Sequence, residues 1–212
     1  AEDAGEARQT ASEKLRARQE AVAHQAARLW QMGKPAERLH PYLKAKALKP
    51  LHLRQLSRGR LLVPLCRDGR LANLQVIDAR GDKRFLPGPV AGTYSPIGTL
   101  ANNPRLYICE GWATGATLHQ QTGCPVVCAL SANNLKAVAV AMRTRYGDLL
   151  ELVVAGDDDR QTLGNPGRCA ADRAADAAGA LVLFPQWPDD APAHLSDFND
   201  LHLWHAQKDG QS

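Results

Sequence analysis

The sequence is poor in aromatic residues, in long apolar runs and in paired cysteine motifs. Phe, Trp and Tyr together make up 5% of its 212 residues. No segment approaches the roughly 18 consecutive apolar residues that a membrane-spanning helix needs. The chain begins with Ala-Glu-Asp, and the charged and then apolar leader of a secreted protein does not follow. We therefore expect a piece of a longer cytoplasmic polypeptide that has no membrane partner.

The five cysteines do not show the spacing of a zinc site or a disulfide scaffold. Cys109 and Cys128 lie in apolar runs that are typical of buried strands. Cys124 lies close to Cys128 in the sequence, but no second ligand pair is near them. An odd number of cysteines without such a pattern indicates reduced thiols.

The overall composition is that of an ordinary globular protein, but its charge is unevenly distributed. Apolar residues make up 44% of the chain and charged residues 23%. Residues 1–104 carry 18 Lys and Arg against 9 acidic residues, whereas residues 105–212 carry 8 against 13. A basic half beside an acidic half suggests a polyanion held by one and metal cations held by the other. Two solvated faces of opposite charge would give the same pattern.

The spacing of apolar residues divides residues 1–104 into a helical part and a β-rich part. Residues 1–50 are predicted to be a helical arm, in which a long Ala-rich helix precedes a short helix that begins at Pro41. Residues 51–104 are predicted to be a small basic β-rich subdomain with a hairpin turn at Asp68-Gly69. Its last stretch, residues 87–104, is rich in Pro, Gly and Asn, which indicates a linker or an ordered loop between domains. The short helix of the arm carries three lysines: Lys44, Lys46 and Lys49.

Residues 105–212 alternate short apolar strands with helices. Four strands and three helices near 112–122, 133–146 and 168–178 follow one another before a Pro-rich stretch. Because the strands are continuously apolar, they indicate a sheet that is covered on both faces. The fold class is therefore α/β, with a Rossmann-like arrangement around a mostly parallel four-stranded sheet.

Acidic residues follow two of these strands directly. Glu110 closes the first strand, and Asp157-Asp158-Asp159 follows the third. In open α/β sheets, ligands bind beyond the carboxyl ends of the strands. Residues two apart in an extended chain point the same way, so Asp157 and Asp159 can converge on one cation while Asp158 faces elsewhere. Crowded carboxylates of this kind suit Mg²⁺, with Mn²⁺ as a substitute. A loop acid and a solvated acidic turn are the alternative.

A third acidic cluster follows the last strand, at Asp197-Phe198-Asn199-Asp200. As local structure, Asp197 can cap the helix that follows it. Because the cluster lies beyond a strand of the same sheet, Asp197 is also a candidate ligand for a second metal ion.

The segments Tyr107-Ile108-Cys109-Glu110-Gly111 and Val153–Asp159, with the strand and helix alternation around them, resemble a Toprim domain. Bacterial-type primases, topoisomerases and some nucleases share that fold. The resemblance implies that Glu110 is a general acid/base or metal ligand, and that Asp157 and Asp159 are metal ligands. The downstream cluster resembles an additional acidic motif of bacterial primases, which implies metal ligands at Asp197 first and Asp200 second.

The upstream segment resembles the basic subdomain that precedes Toprim in bacterial primases, above all those of plasmids, phages and integrative elements. Three segments carry this resemblance: Arg58–Leu65, Asp68-Gly69-Arg70 and Asp82–Gly88. It implies that Arg60, Lys83 and Arg84 contact the template and the incoming nucleotide. The implied function is Mg²⁺-dependent synthesis of RNA primers on single-stranded DNA from nucleoside triphosphates. A replicative helicase or further domains of a parent protein are the implied partners.

Two other functions remain open. A Toprim nuclease would use the same acids, whereas a topoisomerase would need an attacking tyrosine, and none of the four tyrosines lies in a recognisable attack motif. A single-stranded-DNA-binding module without catalysis would keep the acids only for folding. Binding of Mg²⁺ or Mn²⁺ separates the catalytic hypotheses from this last one.

Overall fold

Two five-stranded sheets with helices packed on them make up the part of the chain that the structure describes. The structure is a computed structural model, and it describes residues 2–101 and 103–210. Residue 1 of the predicted arm, residue 102 of the predicted linker and residues 211–212 lie outside it. The helices are Glu2–Met32 (α1), Pro41–Ala45 (α2), Trp112–Thr122 (α3), Ala132–Tyr146 (α4), Pro166–Ala178 (α5) and Phe198–Asp209 (α6).

The first sheet is antiparallel and follows chain order. Its strands are Lys34–Pro35 (β1), Arg54–Leu56 (β2), Arg60–Arg67 (β3), Arg70–Ile77 (β4) and Lys83–Phe85 (β5). The predicted hairpin is confirmed: Asp68 and Gly69 both have positive φ, at 50° and 77°, as the tight turn between β3 and β4 requires. The sequence patterns did not predict β1 and β2, which are too short to show a period.

The second sheet has the order β10-β9-β7-β8-β6. Its strands are Ser95–Ile97 (β6), Arg105–Cys109 (β7), Val126–Cys128 (β8), Glu151–Ala155 (β9) and Leu181–Leu183 (β10). The α/β fold class and the mostly parallel sheet are confirmed, because only β6 pairs antiparallel.

The prediction of four strands for this sheet was wrong by one. Strand β6 lies in the segment that the sequence indicated as a linker, and it pairs with the edge of β8. Pro96 at its centre is typical of a turn, but a proline is tolerated in an edge strand. The N–H that proline lacks is not needed on the open side of such a strand. The division of the chain at residues 50 and 104 stays a prediction, and β6 lies before the second of these positions.

The apolar residues form three layers between these elements. Alternate residues of β7 point to opposite faces: Tyr107 and Cys109 pack with α3 and the first sheet, whereas Leu106 and Ile108 pack under α4 and α5. The outer face of the first sheet is covered by α1, through a cluster that contains Val22, Ala26, Leu62 and Leu74. Helix α1 therefore packs on one face of the first sheet. The other face of that sheet shares a core with α3 and the second sheet.

Two further expectations concern membranes and thiols. No helix among the described residues is long and apolar enough to cross a bilayer. All five cysteines are free, as the sequence indicated. Cys109 and Cys128 are the buried pair, opposite each other on β7 and β8.

Candidate active site

The structure places Glu110 and the Asp157–Asp159 segment beside each other at one edge of the second sheet. Strands β7 and β9 are parallel neighbours, and their register pairs Cys109 with Ala155. Glu110 therefore leaves the end of one strand where Gly156 leaves the end of the other. The chain at Glu110 is fixed by its carbonyl, which accepts from the N–H of Leu130 at 2.7 Å.

The carboxylates of this edge repel one another in a partly buried setting. Burial, followed by the charges of Asp197, Glu110 and Asp159, raises the pKa of Asp157 from 3.8 to about 8. Burial and then Asp159 raise the pKa of Glu110, while the N–H of Ala132 and Lys83 oppose that rise. Four acids from three separate segments thus act on each other, which makes this edge a candidate for binding a cation.

Asp159 is oriented by the start of α5. Its Oδ2 accepts from the N–H of Gly167 at 2.9 Å, and its own N–H donates to Asn165 Oδ1 at 2.8 Å. Asn165 is the N-cap of α5, and Pro166 begins the helix. A side chain at Gly167 would stand 2.8 Å from Asp159 Oδ2 and 2.9 Å from the carbonyl oxygen of Asp157. Only glycine fits this close approach of α5 to both acids.

Asp197 has both of the roles that its sequence position allowed. Its side chain caps α6 by accepting from the N–H of Asp200 at 2.7 Å. Its charge also raises the pKa of Asp157, and burial and then Asp200 raise the pKa of Asp197 itself. Asp197 is therefore part of the acid cluster, whereas the carboxylate of Asp200 has other contacts: its Oδ1 is 3.5 Å from Lys46 Nζ, and its Oδ2 accepts from the N–H of Ser196.

The structure divides the three predicted basic residues between two faces of the first sheet. Lys83 pairs with Ile77, which is buried towards the second sheet, and its charge lowers the pKa values of Glu110 and Asp157. Arg84 pairs with Val76, which lies on the face that α1 covers. Arg60 shares that face, since it alternates with Leu61 along β3. Arg60 and Arg84 line one cavity of about 420 Å³.

Lys46 is a cation of this site that the sequence patterns did not single out. It follows the last residue of α2, and its charge lowers the pKa of Asp197 against the effect of burial. Its carbonyl accepts from Asn199 Nδ2 at 2.9 Å, so α2 and the start of α6 are joined next to the acids. The only sequence signal was its place among three lysines on a short helix, and 154 positions separate it from Asp200.

The donor set fits a divalent cation. Asp157 Oδ1 is buried and has no hydrogen-bond partner, and the hydroxyl of Tyr42, whose pKa burial and then Asp197 raise to about 12, is also buried without one. A bound cation would satisfy the orphaned carboxylate oxygen and neutralise the repulsion. In residues 2–101 and 103–210, no three His, Cys, Asp or Glu side chains already stand at the spacing of metal ligands.

The parallel strands of the second sheet and the acids at its carboxyl edge lie in a part of the chain that matches a known family. A family profile described as Toprim domain matches residues 105–208. The chain therefore contains a domain of this family, whose members generally bind divalent metal ions.

Over most of its length, the chain is homologous to DNA primase TraC of Escherichia coli. The two are 34% identical over 203 residues, an alignment that covers 87% of this chain. The chain spans 14% of the length of that relative. This homology is consistent with a primase catalytic core.

Solved primase structures share the fold. The primase fragment of the bacteriophage T7 primase-helicase protein superposes with a TM-score of 0.57 at 20% identity, and 81% of this chain and 72% of that chain are covered. The DnaG catalytic core superposes with a TM-score of 0.54 at 16% identity, with 89% and 79% covered. These superpositions confirm the predicted resemblance to bacterial-type primases at the level of fold.

Proposed function

We propose that this chain is the catalytic core of a DNA primase, a nucleotidyltransferase that builds RNA primers on single-stranded DNA. The observation that carries the proposal is the cluster of Glu110, Asp157, Asp159 and Asp197, which has lysines on its flanks. Nucleotidyl transfer needs carboxylates that hold Mg²⁺ and cations that hold the phosphates of the incoming nucleotide. Both kinds of group meet at this edge of the sheet.

The acids have separate tasks in this proposal. Asp157, Asp159 and Asp197 would hold Mg²⁺, or Mn²⁺ in its place, through their carboxylate oxygens. The bound ions would stabilise negative charge on the transferring phosphoryl group and on the pyrophosphate that leaves. Glu110 has a raised pKa and would accept the proton of the primer 3′-hydroxyl at its carboxylate.

The cations are assigned by the face on which they lie. Lys83, from the first sheet, and Lys46, from the end of α2, would hold the triphosphate beside the acids. Arg60 and Arg84 lie on the opposite face of the first sheet and would contact template phosphates instead. Since the chain spans 14% of its TraC relative, a helicase or further domains of a parent protein would supply the remaining steps in the cytoplasm.

The test is isothermal titration of a nucleoside triphosphate in the presence and absence of Mg²⁺, alongside a primer-synthesis assay on single-stranded template. A primase core shows triphosphate binding that depends on the metal, and it incorporates labelled ribonucleotides. A nuclease cuts the DNA under the same conditions without metal-dependent triphosphate binding. A binding module shows neither the metal site nor the incorporation. Either of the last two results would overturn the proposal.

A further inference from the structure

Asp158 lies between two acids of the site, but its carboxylate turns away from them into the protein. Its side chain is only 7% exposed. Oδ1 accepts from Asn165 Nδ2 at 2.7 Å and from Arg168 Nε at 3.2 Å, and Oδ2 accepts from Trp187 Nε1 at 3.1 Å. Burial by itself would raise the pKa of Asp158, but these three donors outweigh it and the pKa is lowered.

The contacts of Asp158 reach the other acids through the backbone. The N–H of Asp158 donates to the carbonyl of Ser196 at 2.7 Å, and Ser196 directly precedes Asp197. Asn165, which donates to Asp158, accepts in turn from the N–H of Asp159 at 2.8 Å. One residue thus joins the loop after β9 to the start of α5 and to the loop before α6.

Two of the side chains that donate to Asp158 also take part in contacts between a guanidinium and an aromatic ring. The guanidinium of Arg168 lies 4.0 Å from the ring centre of Phe184, which follows β10. Arg160 lies 4.5 Å from the ring centre of Trp187 and donates to the carbonyl of Pro192 at 2.8 Å. The segment between β10 and α6 is therefore tied to the loop after β9 at several points.

This network joins the two segments that carry the acids of the site. Asp157 and Asp159 lie in the loop after β9 and Asp197 lies before α6, and these segments share no strand pairing, so the contacts around Asp158 are what connects them. We propose that Asp158 is a positioning residue, which fixes the separation between the Asp157–Asp159 pair and Asp197 and so shapes the metal site. This proposal depends on the proposed function only for the assumption that a metal ion binds at these acids.

The first experiment measures the affinity of the whole chain for Mn²⁺ alone, in the wild type and in Asp158→Asn. Asparagine has nearly the same shape, but its amide NH₂ would face a donor, so part of the network is lost. We expect Mn²⁺ binding to weaken by about 10–100-fold, the usual effect of losing a hydrogen-bonded partner behind metal ligands. Trp187→Phe, which removes one donor and keeps a ring under Arg160, should show a smaller loss. Asp176→Asn, an exposed acid on α5, is the matched control and should bind as the wild type does.

The second experiment does not depend on the metal or on primer synthesis. Amide hydrogen exchange of the metal-free protein should become faster in Asp158→Asn at the N–H groups of Asp158, Asp159 and Arg168, while amides of β7 and β8 keep their protection. If the wild type binds no Mn²⁺, the proposed function fails, and hydrogen exchange alone then tests whether Asp158 has the positioning role. Local acceleration supports the positioning role. The positioning role is overturned if amide exchange in Asp158→Asn is unchanged, or if exchange becomes faster across all strands. It is also overturned if Asp158→Asn binds Mn²⁺ within about two-fold of the wild-type affinity.

Discussion

Lys83 and Arg84 are consecutive on β5, yet their side chains lie on opposite faces of the first sheet. Lys83 pairs with Ile77 and acts on the acids Glu110 and Asp157, whereas Arg84 pairs with Val76 and lines a cavity with Arg60. Alternation along a strand makes this unavoidable, since neighbouring side chains point to opposite sides. Under the proposed function, Lys83 would therefore contact the triphosphate and Arg84 the template, although both lie on β5.

Replacing Lys83 should weaken the metal-dependent binding of triphosphate. We expect Lys83→Ala to lose about 1–3 kcal/mol of binding free energy in the presence of Mg²⁺, because it removes a charged donor to phosphate. Arg84→Ala should lose much less, and Lys14→Ala on α1 serves as a control for net charge. Isothermal titration measures all three variants. A larger loss in Arg84→Ala than in Lys83→Ala would contradict the assignment of faces.

Replacing Arg60 and Arg84 together should change how salt affects DNA binding. Each phosphate neutralised on a single strand contributes about 0.7 to the slope of log affinity against log salt concentration. If each arginine contacts one phosphate, the double variant should lower the slope by about 1.4. Fluorescence anisotropy with single-stranded DNA at several salt concentrations gives the slope. An unchanged slope would move the DNA path elsewhere, with Lys44 and Lys49 as the next residues to replace.

The stability of the metal-free protein should fall as the pH rises. The pKa of Asp157 is raised from 3.8 to about 8, so the folded state holds this proton at pH values where the unfolded state has released it. The stabilisation that this proton gives is complete below about pH 4, declines as the pH rises, and is lost once the pH has passed through 8. The raised pKa values of Glu110 and Asp197 act in the same direction.

Thermal unfolding at pH 5 and pH 8 in a chelator tests this pH dependence. Asp157→Asn should reduce the difference in melting temperature between the two pH values, and excess Mg²⁺ should raise the wild-type value at pH 8. A wild type that melts higher at pH 8 than at pH 5 without metal would show that Asp157 is not under this repulsion.

Removing a carboxylate from the cluster should abolish nucleotide incorporation and leave the fold intact. We expect this of Asp157→Ala and Asp159→Ala, because both acids would hold the metal and neither fills a core position. Removing Asp157 also relieves repulsion in the metal-free state. Primer synthesis and circular dichroism measure the two effects. If both variants melt several degrees lower without metal, the cluster is structural and the metal assignment is wrong.

A methyl group at Gly167 should displace the acids without removing them. In Gly167→Ala the added carbon would stand 2.8 Å from Asp159 Oδ2, so the start of α5 or the carboxylate has to move. We expect Mn²⁺ affinity and incorporation to fall together. Gly111→Ala is the control, since its added carbon would meet Thr114 Oγ1 only at 3.7 Å. Equal losses in both variants would show that glycine flexibility, and not space, is what the site needs.

Prediction from the sequence succeeded where the pattern is local. The strands of the second sheet after residue 104 and helices α3, α4 and α5 lie within a few residues of their predicted places. Strand β6 was missed because three residues centred on Pro96 carry no period of their own. Its place in the sheet depends on β8, about 30 positions further along the chain.

The sequence by itself determined the α/β class and the positions of Glu110, Asp157 and Asp159 at the ends of strands. It could do so because apolar runs and turn residues act over a few neighbours, and because parallel strands bring their carboxyl ends to one edge. Alternation along the chain already predicted that Asp158 faces away from its two neighbours, and the tertiary structure decided which distant groups it contacts. Only the tertiary structure decided that Lys83 and not Arg84 faces the acids and that Lys46 joins them. Each of these depends on the register between strands or on a contact between distant segments, which no local pattern encodes.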